Sequence, residues 1–237
     1  MSYVIIGDFR YPRTPIELLK KLLERERCTT LVILGDFLAR FHREDRARIS
    51  EVASVLGRVI RYGRRVGTSK VIYIVGARDD GVLLYRRKII DELGGKAISI
   101  EIVPIKVISI ENIVLVFEHG HRQFNVIFNE YYRKYSTTFE AIVNATRKAR
   151  DLEEREGRLR KGAWWIIGHT QILHVDPEYR IIHSGLLAED INYEGAGLRG
   201  SIIDVEPNEH RGYIVIKGTE VTLKKVNGSE VKRFKLT

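Results

Sequence analysis

Five apolar runs in this chain end in small or polar clusters: Gly7-Asp8-Phe9-Arg10, Gly35-Asp36, Gly76-Ala77-Arg78-Asp79, His119-Gly120-His121 and Gly168-His169-Thr170-Gln171. A buried strand cannot carry charge along its length, but its end can point side chains into a shared crevice. In an α/β sheet the carboxyl ends of the strands line one edge, where ligands bind. Glycine beside each polar residue lets backbone and ligand approach closely. Aspartates and histidines gathered there offer hard oxygen and imidazole nitrogen, the donors a divalent cation takes. One such strand end is a weak signal; five in one chain form a strong one.

The elements that must position these clusters follow from periodicity. Tyr3–Gly7, Leu31–Leu34 and Val71–Val75 are short apolar runs expected as buried strands. Between them, Thr14–Arg27 carries apolar residues at helical spacing, with Thr14 as expected N-cap and Pro15 at the first helical position. An Arg-rich helix is expected over Glu44–Val66, and another over Val82–Leu93, stopped by Gly94-Gly95. Ile98–Ile102, Ile105–Ile110 and Ile113–Phe117 lie too close together for helices between them and are expected as antiparallel or meander strands. A charged helix over Thr138–Arg158 and a strand over Ala163–Ile167 follow, then short strands joined by turns. The aromatic segment Phe124–Tyr132 is expected to pack as core or lid over the cleft. The pattern predicts two sheets face to face with helices outside, and residues 1–237 read as one domain, without linker or repeat.

The order of the strand-end clusters resembles the calcineurin-like metallophosphoesterases over about residues 3–185. That resemblance implies an α/β fold, a four-layer α/β/β/α sandwich of two mixed sheets. It also implies a two-metal site that hydrolyses phosphomonoesters or phosphodiesters with a metal-activated water. Residue by residue, Asp8, Asp36, His119 and His169 match metal ligands of the family, and Asp79 matches the acid of the third motif. The departures are equally specific. Arg10 stands where the first histidine belongs, Ala77 and Arg78 replace the asparagine ligand and the catalytic histidine, and Gln171 replaces the last histidine.

A guanidinium has no lone pair to give and keeps its charge, so it cannot ligate a cation. The first metal position is therefore expected to be lost, with Arg10 paired to Asp8. The second keeps Asp36, His119 and His169, enough for one Mn, Zn or Fe ion. Two guanidiniums would replace the two positive charges of the missing ion. Arg78 and Arg10, with His183, are candidate phosphate-binding groups; Arg78, Asp79 and His121 are candidate catalytic groups. Weak or specialised hydrolysis is expected, since a lone ion supplies only part of a two-metal clamp. The alternative is a phosphate- or nucleic-acid-binding protein, or a scaffold, that kept the fold and binds no metal. A two-metal enzyme with His183 or His174 as substitute ligand ranks last, because Arg10 would sit against the extra ion.

Composition agrees with an anionic partner, a phosphate-containing small molecule or nucleic acid. Lysine and arginine number 40 against 31 acidic residues, for a net charge of +9 and a pI near 9.6. Arg58, Arg61 and Arg65 share one helical face, expected to be solvated. The one cysteine, Cys28, excludes an internal disulfide and a thiolate cluster. No apolar run approaches a membrane span, and the N-terminus lacks the marks of a signal peptide, so a cytoplasmic protein is expected. Scarce Met, Cys and Gln suit a thermophilic habitat. Gly195-Ala196-Gly197-Leu198-Arg199-Gly200 matches a dinucleotide-binding glycine pattern, but a polar stretch precedes it and a strand-like run follows, so a loop is expected.

Overall fold

A computed structural model describes residues 1–94, 99–189 and 205–237. The loop expected at 195–200, the strand-like residues 201–204, Gly95 and Ile98 lie outside the described residues. The first half runs β1 (Ser2–Ile6), α1 (Ile16–Glu26), β2 (Thr30–Leu34), a 3-10 turn (Arg43–Arg48), α2 (Ile49–Arg65), β3 (Lys70–Ile74), α3 (Gly81–Leu84), α4 (Arg86–Leu93) and β4 (Ser99–Val103). The chain continues through β5 (Ile105–Ile110), β6 (Ile113–Glu118), α5 (His121–Tyr131), α6 (Thr138–Arg155), β7 (Trp164–Ile167), β8 (Leu173–Asp176) and β9 (Ile181–Ser184). It closes with α7 (Pro207–His210), β10 (Gly212–Lys217), β11 (Glu220–Lys225) and β12 (Glu230–Lys235).

The strands form two mixed sheets, ordered β12-β11-β10-β1-β2-β3-β4 and β5-β6-β7-β9-β8. β1 to β4 are mutually parallel, as are β6, β7 and β9, so their carboxyl ends share an edge. Strand alternation divides each apolar run between two cores. Val4 and Ile6 of β1, Leu31 and Ile33 of β2, and Val71 and Tyr73 of β3 face the core under α1, α2 and α4. Their neighbours Ile5, Val32, Leu34, Ile72 and Ile74 face Leu115, Phe117, Trp164 and Ile166 of the second sheet. Val116, Trp165 and Ile167 pack on the other side against α5 and α6. The central strands of both sheets are buried on both faces, which makes the architecture a four-layer α/β/β/α sandwich.

Several boundaries differ from expectation for local reasons. α1 starts one turn position later than the Thr14 cap predicts, because Pro15 itself takes extended ψ (132°) at the N-cap. The Arg-rich helix is preceded by a 3-10 turn, and Val82–Leu93 divides at Tyr85, whose φ/ψ of −99°/12° leaves the helical region. Tyr85 donates its hydroxyl to the Arg43 carbonyl at 2.6 Å, tying that break to the turn. The three β-branched runs do not form one meander. β4 pairs parallel with β3 in the first sheet, whereas β5 and β6 form an antiparallel hairpin in the second. Pro104, with no N–H to give a ladder, marks the crossing. α2 buries Val52, Val55, Leu56, Val59 and Ile60, and its Arg58 pairs with Glu17 at 2.8 Å, a surface contact worth well under about 1 kcal/mol. Among the described residues no helix is long and apolar enough to cross a membrane.

Candidate metal centre

The carboxyl ends of β1, β2, β3, β6 and β7 deliver the five polar clusters to one place. The turns that do this are strained: Asp8, Arg10, Asp36, His169 and Gln171 all take left-handed φ, between 44° and 58°. Non-glycine residues adopt that region at a cost of order 1–3 kcal/mol each, so surrounding bonds must hold them. Those bonds are present. The Arg10 N–H donates to the Asp36 carbonyl at 3.0 Å, and Tyr11 N–H to that of Phe37 at 2.7 Å. Gly35, at φ 77°, packs so closely on His119 that a β-carbon there would run into the imidazole ring.

Asp36, His119 and His169 converge, with one ligand atom from each lying within 4.8 Å of the others. Each imidazole is fixed from behind. His119 Nδ1 donates to the Leu34 carbonyl at 3.0 Å, which turns Nε2 inward. His169 Nε2 donates to Asn125 Oδ1 at 2.7 Å, which turns Nδ1 inward. The two inward nitrogens are buried and make no hydrogen bond. His119 Nε2 lies 3.4 Å from Asp36 Oδ1, an ion pair while the ring is protonated. A buried imidazole nitrogen left bare costs free energy unless something binds it. Two such nitrogens beside a carboxylate fit a single Zn, Mn or Fe ion in ligand type and number.

The local field is set by these groups. Burial pushes the His119 imidazole toward neutrality, but Asp36 and then Asp8 outweigh it and raise its pKa to about 9. Burial would raise the Asp36 carboxyl too, yet the His119 ring and the Arg78 N–H, 2.9 Å from Oδ1, hold it well below the usual carboxylate range. Burial and then the charge of His119 push His169 well below the ordinary imidazole value.

Asp8 stands beside this trio, outside it. Its Oδ1 faces Arg10 Nη2 at 3.4 Å, and its Oδ2 accepts the His169 N–H at 3.1 Å. Burial and the Asp36 charge push its carboxyl pKa up, against the pull of Arg10. Arg78 is part-exposed at the site, 30% at its side chain, with Nε 3.5 Å from Asp36 Oδ2. His121, at the start of α5, brings its ring 5.3 Å from that of His119.

Two further candidates lie buried beyond the trio. Asp79 is fully buried and accepts from Gly76 N–H at 2.7 Å, Phe37 N–H at 2.8 Å, Leu38 N–H at 3.3 Å and the Tyr73 hydroxyl at 2.6 Å. Burial and Asp36 raise its pKa to about 6. It knits the loop after β3 to the loop after β2. His183 is fully buried as well; its Nδ1 meets Thr170 Oγ1 at 3.0 Å, and its ring lies 5.8 Å from His174. It offers no exposed atom to a substrate.

Asn125 was not singled out from sequence. It sits in the aromatic segment expected as core or lid, which is helix α5. The spacing of Phe124, Ile127, Phe128 and Tyr131 is the helical signal that was there to find.

No protein-family model and no curated protein sequence matches the chain. Among solved structures, it is similar to Yfce, a phosphoesterase from E. coli, with a TM-score of 0.51 at 16% identity over 100% of both chains. It also matches an archaeal phosphodiesterase, at a TM-score of 0.45 and 12% identity over 100% of both chains. A third match is a dimetal phosphatase from Danio rerio, at 0.46 and 13% over 100% of this chain and 98% of that one. Identities this low speak to architecture, and the two mixed sheets between helix layers are the fold this chain shares with the E. coli phosphoesterase.

Proposed function

We propose that this protein is a single-ion phosphoesterase, hydrolysing a phosphomonoester or phosphodiester at Asp36, His119 and His169. The observation that carries this reading is the convergence of Asp36, His119 and His169, with one ligand atom of each within 4.8 Å of the others and both imidazoles fixed from behind. A divalent ion held there, Mn, Zn or Fe, supplies Lewis-acid polarisation and an activated water when bound. Leu34 and Asn125 orient the two imidazoles for it. Arg78 takes a phosphoryl oxygen, since its guanidinium is part-exposed and Asp36 already aims it. His121 gives the proton to the departing alcohol, standing in for the histidine that Arg78 replaces. Arg10 fills the remainder of the pocket as the partner of Asp8 and supplies positive charge there. Asp79 and His183 hold loops and do not touch substrate.

The test is metal analysis of protein loaded with Mn and dialysed, followed by turnover of bis-p-nitrophenyl phosphate. The expected result is about one ion per chain and metal-dependent turnover that His119→Ala abolishes. Two ions per chain would overturn the single-ion assignment. Metal binding without turnover of any phosphoester, with tight salt-sensitive nucleic-acid binding, would overturn the enzyme assignment.

A further inference from the structure

A pocket of about 200 Å³ lies at the other end of the second sheet, where β6, β7 and β9 begin. The turn between β5 and β6 gives it Asn112, the loop before β7 gives Arg160, Lys161 and Gly162, the turn before β9 gives Arg180, and Thr237 lines it too. The candidate metal centre lies at the carboxyl ends of β6 and β7, so the two places are a strand length apart. Arg160 and Lys161 are exposed, and among the described residues neither side chain has an acidic partner. The acids around the end of α6 are already engaged: Glu154 by Arg150 at 2.6 Å, Glu153 by Arg158 at 2.7 Å, and Glu156 by Arg158 as well. Arg180 is fixed in position. Its carbonyl accepts from Trp165 N–H at 2.8 Å and from Arg150 Nη1 at 3.2 Å, and its own Nη1 donates to the Gly162 carbonyl at 2.6 Å. Gly162 takes a left-handed φ of 80°, and a β-carbon there would come within 3.1 Å of Arg180 Nη1, so glycine permits this approach.

We propose that this pocket is a second anion site, which takes a phosphate dianion on Arg160, Lys161 and Arg180 without a metal ion. It stands independently of the phosphoesterase reading. Arg180 spends Nη1 on Gly162 and keeps Nε and Nη2 without a partner among the described residues. A guanidinium held in this way offers its remaining donors to phosphate at little cost in ordering, and the Lys161 ammonium adds a point charge. The like charges also lie close enough to repel. Burial lowers the Arg150 pKa, Glu154 opposes that shift, and Arg180 adds to it. An anion at Arg180 relieves this repulsion. Thr237 brings a carboxylate to the lining, but its oxygen accepts from Trp164 Nε1 at 3.4 Å and pairs with none of the three cations. Even with that carboxylate counted against them, the lining keeps a positive charge. The volume is below the roughly 300–1,000 Å³ of pockets for larger ligands, so it suits a phosphate rather than a whole nucleotide.

The experiment titrates orthophosphate into the full chain by calorimetry, without divalent metal, and follows the Gly162 and Ala163 amide signals by NMR. The expected result is saturable binding that moves both signals. Arg160→Gln and Lys161→Gln are each expected to weaken it about three- to fivefold, the size of an exposed charge contact. Arg180→Gln, which removes the fixed guanidinium, is expected to weaken it about tenfold. Arg160 and Lys161 brace no other side chain among the described residues, so their variants test the site even where Arg180→Gln disturbs the loop. Arg78→Ala, at the candidate metal centre, is expected to leave this binding unchanged. Absence of saturable binding, or binding that survives all three glutamine substitutions, would overturn the site. Loss of binding in Arg78→Ala with the amide signals unmoved would also overturn it, by placing the phosphate at the metal centre. A single-stranded oligonucleotide that binds more tightly than orthophosphate, and loses that affinity in the same three variants, would overturn the small-anion assignment in favour of a polyanion surface.

Discussion

Arg10 Nη2 faces Asp8 Oδ1 at 3.4 Å, and the two side chains are sealed from water at 1% and 0% exposure. A buried charge persists only with a partner, and here the partner is two residues away on a strained turn. The pairing sets a fixed guanidinium beside the Asp8 carboxylate, next to the Asp36, His119 and His169 trio.

Arg10→His replaces that cation with a possible imidazole ligand next to Asp8. Bound Mn is expected to rise from about one to about two per chain, read by elemental analysis after dialysis. Arg10→Ala leaves Asp8 buried without its counter-charge, and is expected to lower unfolding stability by about 3–5 kcal/mol in urea. Unchanged stability in Arg10→Ala would show that the pair holds nothing.

Asn125 fixes His169 with the 2.7 Å bond to Nε2, so that Nδ1 points inward. Asn125→Leu is expected to weaken metal binding by about 10- to 100-fold in calorimetric titration. Asn125→Asp, which still accepts that hydrogen bond, should restore most of it. Equal losses in both variants would show that Asn125 acts through packing alone.

Gly35 precedes the ligand Asp36, and its φ of 77° brings its α-carbon onto the His119 ring. Gly35→Ala combines backbone strain with a collision against a ligand, and the expected loss is about 2–4 kcal/mol of stability together with measurable loss of metal affinity. Normal metal titration in this variant would show that the loop can move aside without disturbing His119.

Glu26 joins the end of α1 to β10 and β11. It accepts from the Tyr213 hydroxyl at 2.5 Å, Lys224 Nζ at 2.9 and 3.1 Å, and Arg25 Nε at 3.2 Å. Burial would push its carboxyl up, but these bonds outweigh burial and hold its pKa below the ordinary glutamate value. The folded state therefore binds this proton less readily than the unfolded chain does. The stabilisation is complete above about pH 4.3, the unfolded value, and is lost as pH falls through the lower folded value. Glu26→Gln is expected to cost about 1–3 kcal/mol at pH 7, with the gap to wild type closing below about pH 4. A gap that stays constant from pH 7 to pH 3 would remove the charge from the account.

What the sequence determined by itself was the architecture and the composition of the site. Runs such as Val4-Ile5-Ile6 and Leu31-Val32-Ile33 are apolar at every position, so both faces of their sheet must be covered. Polar clusters can then occur only at strand ends, which is why Asp36, His119 and His169 were legible as one group. That Arg10 cannot be a ligand was equally legible, because no environment gives a guanidinium a lone pair. Tertiary structure alone decided the rest. His119 is turned by a carbonyl 85 residues away, and His169 by a side chain 44 residues away, and no local pattern encodes such hydrogen bonds. Asp79 and His183 have the right chemistry for a site, yet both are fully buried, and burial is a property of packing. The assignment of β4 to one sheet and β5 to the other was equally hidden, because a strand's pairing partner is chosen by long-range contacts that its own residues do not specify.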